Sequence, residues 1–365
     1  MFKKLLPLYL LALVVISLAF IYGCGAAPTS GGGGGGGISG REYYGMNSMG
    51  GTNKCTINDT AFSLHFESGT MEGLTISGNV TTLESGLLSC ETTSSSDPTK
   101  ISTGDVFYVY EVTNEVLVIG AGPNDHKVIM ILPALSNTAP FPLAGSYESI
   151  TIPRTDWILP GNREACMTGE FTGTDSYTFA GNMYYVGGGF KGSGAMEDLH
   201  FTGGRLCTAD AESAPQFFFS PKGMFVVSGN KEGGGWKDGG AVGAIYDSTV
   251  STPELATDKC YIGMSFAREL ATNNSYIEMI SVESVTAYSL DVYSMEASSG
   301  AALGSPRGTI TLGPINTPGQ GIIDATISSI PAKMVAYKYN DSGKYAVCGF
   351  VSMESDAMTF FAIEQ

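Results

Sequence analysis

The same two-stranded pattern is written three times in this chain, and that repetition limits the fold more than any other feature. Phe107-Tyr-Val-Tyr-Glu-Val-Thr-Asn-Glu-Val-Leu-Val-Ile-Gly120 is the first copy. Phe217-Phe-Phe-Ser-Pro-Lys-Gly-Met-Phe-Val-Val-Ser-Gly229 is the second, and Val335-Ala-Tyr-Lys-Tyr-Asn-Asp-Ser-Gly-Lys-Tyr-Ala-Val-Cys-Gly349 is the third. Each copy has an aromatic strand, a turn, a second apolar strand and a closing glycine. The turn residues (Asn, Asp, Pro, Gly) tolerate left-handed or proline-fixed backbone, so each copy reads as a hairpin. A further apolar strand follows each one, at 128–132, 241–246 and 358–363.

The first two copies also agree upstream. Cys55 precedes Phe107 by 52 residues and Cys166 precedes Phe217 by 51, which implies a duplicated unit of about 110 residues. The third departs from this, because Cys260 lies too far upstream and Cys348 falls inside the hairpin. It is read as a diverged unit. Elsewhere 61–67, 74–80, 147–152 and 309–312 show alternating or β-branched patterns. Residues 281–293 form one long strand or two, and 265–272 form a turn or two of helix.

The expected fold is therefore all-β and mostly antiparallel, a tandem of small barrels or sandwiches. The units are 41–144, 145–250 and 251–365. Gly145-Ser146-Tyr147 resembles the G-x-W opening of lipocalins, with tyrosine in place of tryptophan. That resemblance implies an up-and-down barrel in unit two.

Ahead of the units lie an apolar leader and a glycine tract. Lys3 and Lys4 are followed by an apolar run to Phe20, and Ile21-Tyr22-Gly23-Cys24 places an aliphatic residue, a small residue and a cysteine in order. This segment resembles the lipobox leader of bacterial lipoproteins, with Tyr22 bulkier than the residue usual there. The resemblance implies a signal peptide over 1–23, acyl chains such as palmitate on Cys24, and attachment in the cell envelope. Gly25 stands where an inner-membrane retention signal often places Asp, which implies the outer membrane. Residues 24–40 include the seven glycines 31–37 and read as a flexible tether. Glycine costs the most entropy to order, and a coil of this length reaches about 20 Å.

Charge narrows the partners. The full chain carries −16, and loss of the leader removes two lysines and no acid, leaving −18. Such a surface does not neutralise phosphates, so nucleic acid is excluded as a partner. Anionic head groups repel it too, so membrane attachment must come from the lipid.

Seven cysteines are present, and lipidation of Cys24 leaves six. In an oxidising compartment an even remainder suggests disulfides. The spacing favours Cys55–Cys90, Cys166–Cys207 and Cys260–Cys348, each closing a loop worth roughly 3–4 kcal/mol.

Chemistry-bearing motifs are sparse. No G-x-S-x-G elbow or C-x-x-C occurs, and His65, His126 and His200 have no metal-ligand spacing. Gly187-Gly-Gly-Phe-Lys-Gly192 matches G-x-G-x-x-G, but no helix follows to face a pyrophosphate. Asp175, Glu197 and Asp198 are read as solvated acids, since sequence cannot place a catalytic pair. No catalytic residue, metal or cofactor is assigned. The aromatics Tyr184, Tyr185, Phe190, Phe217, Phe218 and Phe219 are the candidate ligand or partner contacts. Consecutive Phe217, Phe218 and Phe219 must point to both sheet faces, so at least one lies outside its own unit's core.

The resulting expectation is a non-enzymatic envelope lipoprotein with a binding, adhesive or structural role, engaging an envelope protein, a glycan or a small apolar ligand. A lipocalin-like carrier with an apolar cavity and a secreted glycan hydrolase are the alternatives.

Overall fold

The computed structural model describes residues 38–121, 127–139, 143–154, 164–209, 214–229, 231–232, 235–236, 239–269, 271–272, 274–315, 321–339, 342–353 and 356–365. The leader, Cys24, the glycine tract 31–37 and His126 lie outside these residues.

The chain forms three closed antiparallel barrels of eight strands each. In the first, β1 (Arg41–Asn47), β2 (Thr52–Ile57), β3 (Ala61–Phe66), β4 (Thr75–Thr82), β5 (Leu88–Ser95), β6 (Val106–Val112), β7 (Val116–Ala121) and β8 (Val128–Pro133) follow in sequence order. Closure is by β8 pairing back onto β1, Met46 opposite Ile131. The second contains β9 (Gly145–Ile152), β10 (Glu164–Gly173), β11 (Tyr177–Tyr185), β12 (Phe190–Thr202), β13 (Arg205–Cys207), β14 (Phe217–Phe219) and β15 (Met224–Val227). A small hairpin of β16 (Lys231–Glu232) and β17 (Gly235–Trp236) intervenes before β18 (Gly240–Ile245) closes on β9. After a short helix α1 (Thr252–Ala256), the third barrel runs through β19 (Cys260–Glu269), β20 (Ser275–Thr286), β21 (Ser289–Met295), β22 (Ala302–Ile315), β23 (Ile323–Ile327), β24 (Ile330–Lys338), β25 (Tyr345–Ser352) and β26 (Asp356–Glu364). It closes along the whole of β19 and β26.

The three repeated hairpins occupy the sixth and seventh strands of their barrels: β6–β7, β14–β15 and β24–β25. Their tips carry Asn114, Gly223 and Gly343 at φ of 61°, 98° and 80°. A left-handed residue at the tip lets two strands turn without splaying, which explains why Asn and Gly recur there. The eighth strands are the apolar stretches that follow each hairpin.

Each barrel has its own interior. Phe62, Leu64, Phe66, Leu117 and Ile119 help fill the first; Tyr147, Phe171, Phe179, Phe217 and Phe219 the second; Tyr261, Val282, Ile310, Met334 and Phe360 the third. A fourth core lies between the barrels. Val116, Val118, Ile129 and Ile131 meet Phe218, Met224, Val226 and Val242, and these meet Val335, Tyr337, Phe350 and Phe361. Strands β7, β8, β15 and β25 are therefore buried on both faces and read as continuous apolar runs instead of alternating ones. The repeated hairpin is both a barrel wall and the contact that joins one barrel to the next.

Two expectations are corrected. Residues 265–269 are not helical: they belong to β19, which is paired on both sides, by β20 and by β26. Two ladders of hydrogen bonds outweigh the modest helix preference of Ala-Arg-Glu-Leu. The three disulfides are also not formed: no S–S bond joins Cys55, Cys90, Cys166, Cys207, Cys260 or Cys348 to another of them. Cys166 and Cys207 lie on β10 and β13, which two strands separate. Cys348 stands opposite Phe361, itself opposite Met264, four residues along β19 from Cys260. Four residues of strand span about 13 Å, beyond the roughly 7 Å limit for a bridge. Cys55 and Cys90 share the first barrel's interior, where burial pushes the Cys90 thiol up to about 12. Residues 281–293 are two strands, β20 and β21, joined by a turn.

Polar groups are buried where barrels meet. Glu115, at the tip of the first hairpin, is raised to about 7 by burial, which outweighs hydrogen bonds from the second hairpin. Glu148 on β9 is raised to about 9, by burial and then by Asp247. Arg205 of the second barrel donates to the Tyr44 hydroxyl of the first and lies 5.6 Å from the Tyr44 ring centre.

Candidate ligand groove on the second barrel

Strands β10, β11 and β12 are 10, 9 and 13 residues long; Ala165 and Cys166 at the start of β10 pack into the inter-barrel core, while Glu170, Ala180, Asn182, Ser193 and Ala195 further along the three strands are exposed. Phe171, Tyr177, Phe179 and Leu199 point into that barrel. Alternation then turns Thr168, Glu170, Ala180, Asn182 and Tyr184 outward. Gly169 is needed on the inner side, because a Cβ there would stand 2.3 Å from the Phe179 ring.

The register aligns these outward residues in rungs across the strands. Glu170 faces Ala180, which faces Ala195, and Ser146 on β9 flanks Glu170. On the next rung Thr168 faces Asn182, which faces Ser193. One rung further, Tyr184 faces Phe190, with ring centres 6.1 Å apart. Successive rungs are about 7 Å apart, two residues along a strand. The first two rungs form a groove of about 680 Å³, flanked by Tyr246, whose backbone N–H donates to Ser146 O. This volume falls within the range of ordinary ligand sites. Its floor is glycine and alanine, and its sides carry hydroxyl, amide and carboxylate groups. Among the described residues that line it, Glu170 is the only acid and none is lysine or arginine.

The six candidate aromatics separate by location. Phe217 and Phe219 are core residues of the second barrel, while Phe218 crosses to the inter-barrel core, its ring 4.7 Å from that of Tyr44. One phenylalanine does leave its own unit's core, and its partner is another unit. Tyr184 packs partly against the inter-barrel core and Tyr185 is half-buried. Phe190 is 61% exposed and lies one rung beyond the residues that line the groove.

The remaining candidates do not converge. His65 Nδ1 pairs with Thr75 Oγ1 at 2.9 Å on an exposed edge, and His200 Nδ1 lies 3.2 Å from the Asp175 backbone oxygen. Asp198 sits at φ 56°, where the β11–β12 ladder shifts register. Gly187–Gly189 form the turn between β11 and β12, with a strand following. Among the described residues no cluster of His, Cys, Asp or Glu could hold a metal ion. Among the described residues the interior of the second barrel is packed with aromatic rings, and a cavity of about 140 Å³ at one end is lined by Thr151, Met167, Met183, Val227 and Ala241 with Arg154 and Glu164 beside them.

Sequence reasoning named Phe190 but missed Ser146, Thr168, Glu170, Asn182, Ser193 and Tyr246. Their only sequence signal is the run of small and polar residues on alternate positions of three successive strands.

No protein-family model and no curated protein sequence matches the chain. Among solved structures the chain is similar to a transferrin binding protein B from Haemophilus parasuis, at 11% identity and a TM-score of 0.31, over 86% of this chain and 66% of that one. It is similar to transferrin binding protein B from serogroup B Neisseria meningitidis at 12% identity and a TM-score of 0.28, over 87% and 66%. A protein of unknown function from Nostoc punctiforme matches at 11% identity and a TM-score of 0.20, over 90% and 96%. The chain thus spans just under two thirds of the transferrin binding proteins it matches.

Proposed function

We propose that this chain is a non-enzymatic binding protein of the bacterial envelope. Acyl chains on Cys24 anchor it to the outer membrane, residues 24–40 tether it, and the wall groove of the second barrel holds its ligand. The carrying observation is the groove itself: about 680 Å³ on the outward face of β10–β12, lined by polar side chains. Hydroxyl, amide and carboxylate groups gathered around one concavity above small residues are the convergent polar groups that fix a ligand's orientation. A single carboxylate among the groove's described residues argues against glycoside hydrolysis, which uses a pair. Packed aromatics in the second barrel argue against that barrel as a carrier's calyx.

The test is hydrogen–deuterium exchange on the mature lipoprotein in detergent micelles, with and without isolated cell-wall sacculi and outer-membrane vesicles. Protection concentrated in 164–202 is expected. Protection elsewhere, or none with either fraction, overturns the reading.

A further inference from the structure

We infer that the groove takes a neutral glycan. This rests on the groove being the ligand site. The three rungs differ in chemistry in an order that suits a sugar. The Glu170–Ala180–Ala195 rung presents methyl groups at its centre. The Thr168–Asn182–Ser193 rung presents a hydroxyl, an amide and a second hydroxyl side by side. The Tyr184–Phe190 rung presents a ring that is 61% exposed.

A pyranose has hydroxyls around its edge and apolar C–H patches on its faces. Its face gains from an exposed aromatic ring, and its edge needs donors and acceptors of both kinds. Hydroxyl and amide groups supply both, whereas carboxylates only accept and ammonium groups only donate. Asn182 offers both functions at the centre of its rung, flanked by Thr168 and Ser193, which can rotate to either role. The rungs' spacing of about 7 Å lets one sugar residue touch two of them.

Other classes fit less well. An anionic ligand would meet Glu170 with no cation among the described lining residues, on a chain carrying −16. An apolar ligand would bury the polar rung without satisfying it, at a cost of about 1–3 kcal/mol per group. A cationic ligand could use Glu170 alone and would leave the neutral rung unused.

The experiment is titration calorimetry on the mature lipoprotein in micelles. The neutral probes are cellopentaose, maltopentaose, xylopentaose and chitopentaose; tetragalacturonic acid and pentalysine are the charged controls. At least one neutral probe should bind, with an affinity unchanged between low and high salt. Phe190→Ala and Asn182→Ala should each weaken it about tenfold, the equivalent of about 1.4 kcal/mol. Ala180→Trp, which fills the groove from an exposed position, should abolish binding with the circular dichroism spectrum unchanged. Failure of all four neutral probes, or binding of a charged control in their place, overturns the glycan inference. So does neutral binding that survives both Phe190→Ala and Ala180→Trp. The exchange measurement fails or succeeds independently: envelope protection at 164–202 without glycan binding removes the ligand class and leaves the groove.

Discussion

The Ser220 hydroxyl donates a hydrogen bond to Glu115 Oε1, joining the tip of the second barrel's repeated hairpin to the tip of the first. The Lys222 backbone N–H donates to the other carboxylate oxygen at 3.1 Å. Tyr337 of the third barrel is buried within electrostatic reach of the same carboxylate. One acid thus stands where all three barrels meet.

That position makes stability fall as pH rises. In the folded chain Glu115 and Glu148 hold their protons to about 7 and about 9, against an ordinary value of 4.5. A carboxyl whose folded value is raised stabilises fully below the unfolded value and loses that contribution as pH rises through the folded one. Denaturant unfolding should show lower stability at pH 8 than at pH 5. Glu115 accounts for at most about 3 kcal/mol of the difference. Glu115→Gln should flatten this slope in part, leaving the portion due to Glu148. A stability that rises over this range would refute the assignment.

Phe218 and Phe190 should separate packing from binding. Phe218→Ala empties a fully buried site between barrels and should cost about 3–5 kcal/mol. The loss falls on the inter-barrel core, so unfolding should change from one transition to more than one. Phe190→Ala, on the exposed wall, should stay within about 0.5 kcal/mol of the parent. Equal losses for the two would show that Phe190 is structural.

The six cysteines should react by accessibility. Cys260 is the exposed thiol and the other five are buried. A maleimide added to the native protein should label Cys260 first. After denaturation without reductant, Cys166, Cys207, Cys260 and Cys348 should all take label, as mass spectrometry of peptides would record. Protection of any of these four until reductant is added would reveal a bridge that the strand geometry forbids.

Replacing Cys24 with Ala should move the protein from the membrane fraction to the soluble envelope fraction and abolish incorporation of labelled palmitate. Retention in the membrane without acylation would point to an uncleaved leader helix.

Much of the fold could be read from the sequence because hairpins are local. Asn114, Gly223 and Gly343 mark their turns within a few residues of the strands they join. Phe217, Phe218 and Phe219 required a second buried face whatever the tertiary structure. Residues 265–272 misled because local helix preference says nothing about ladders formed with 275–286 and 356–364. Counting cysteines misled because parity carries no direction: Cys166 faces the inter-barrel core from one strand, and Cys207 belongs to another with two strands between them. The groove could not be read at all. Ser146 and Ser193 share it only because three ladders hold their register, one of them with two shifts.

The double burial of the repeated hairpins has a consequence for a solitary copy of the unit. Its apolar outer wall would be open to water, and such a surface draws in others like it. Separate units would therefore assemble only above some threshold concentration. Covalent succession in one chain makes each barrel the permanent neighbour of the next, so the assembly forms equally well however dilute the protein is.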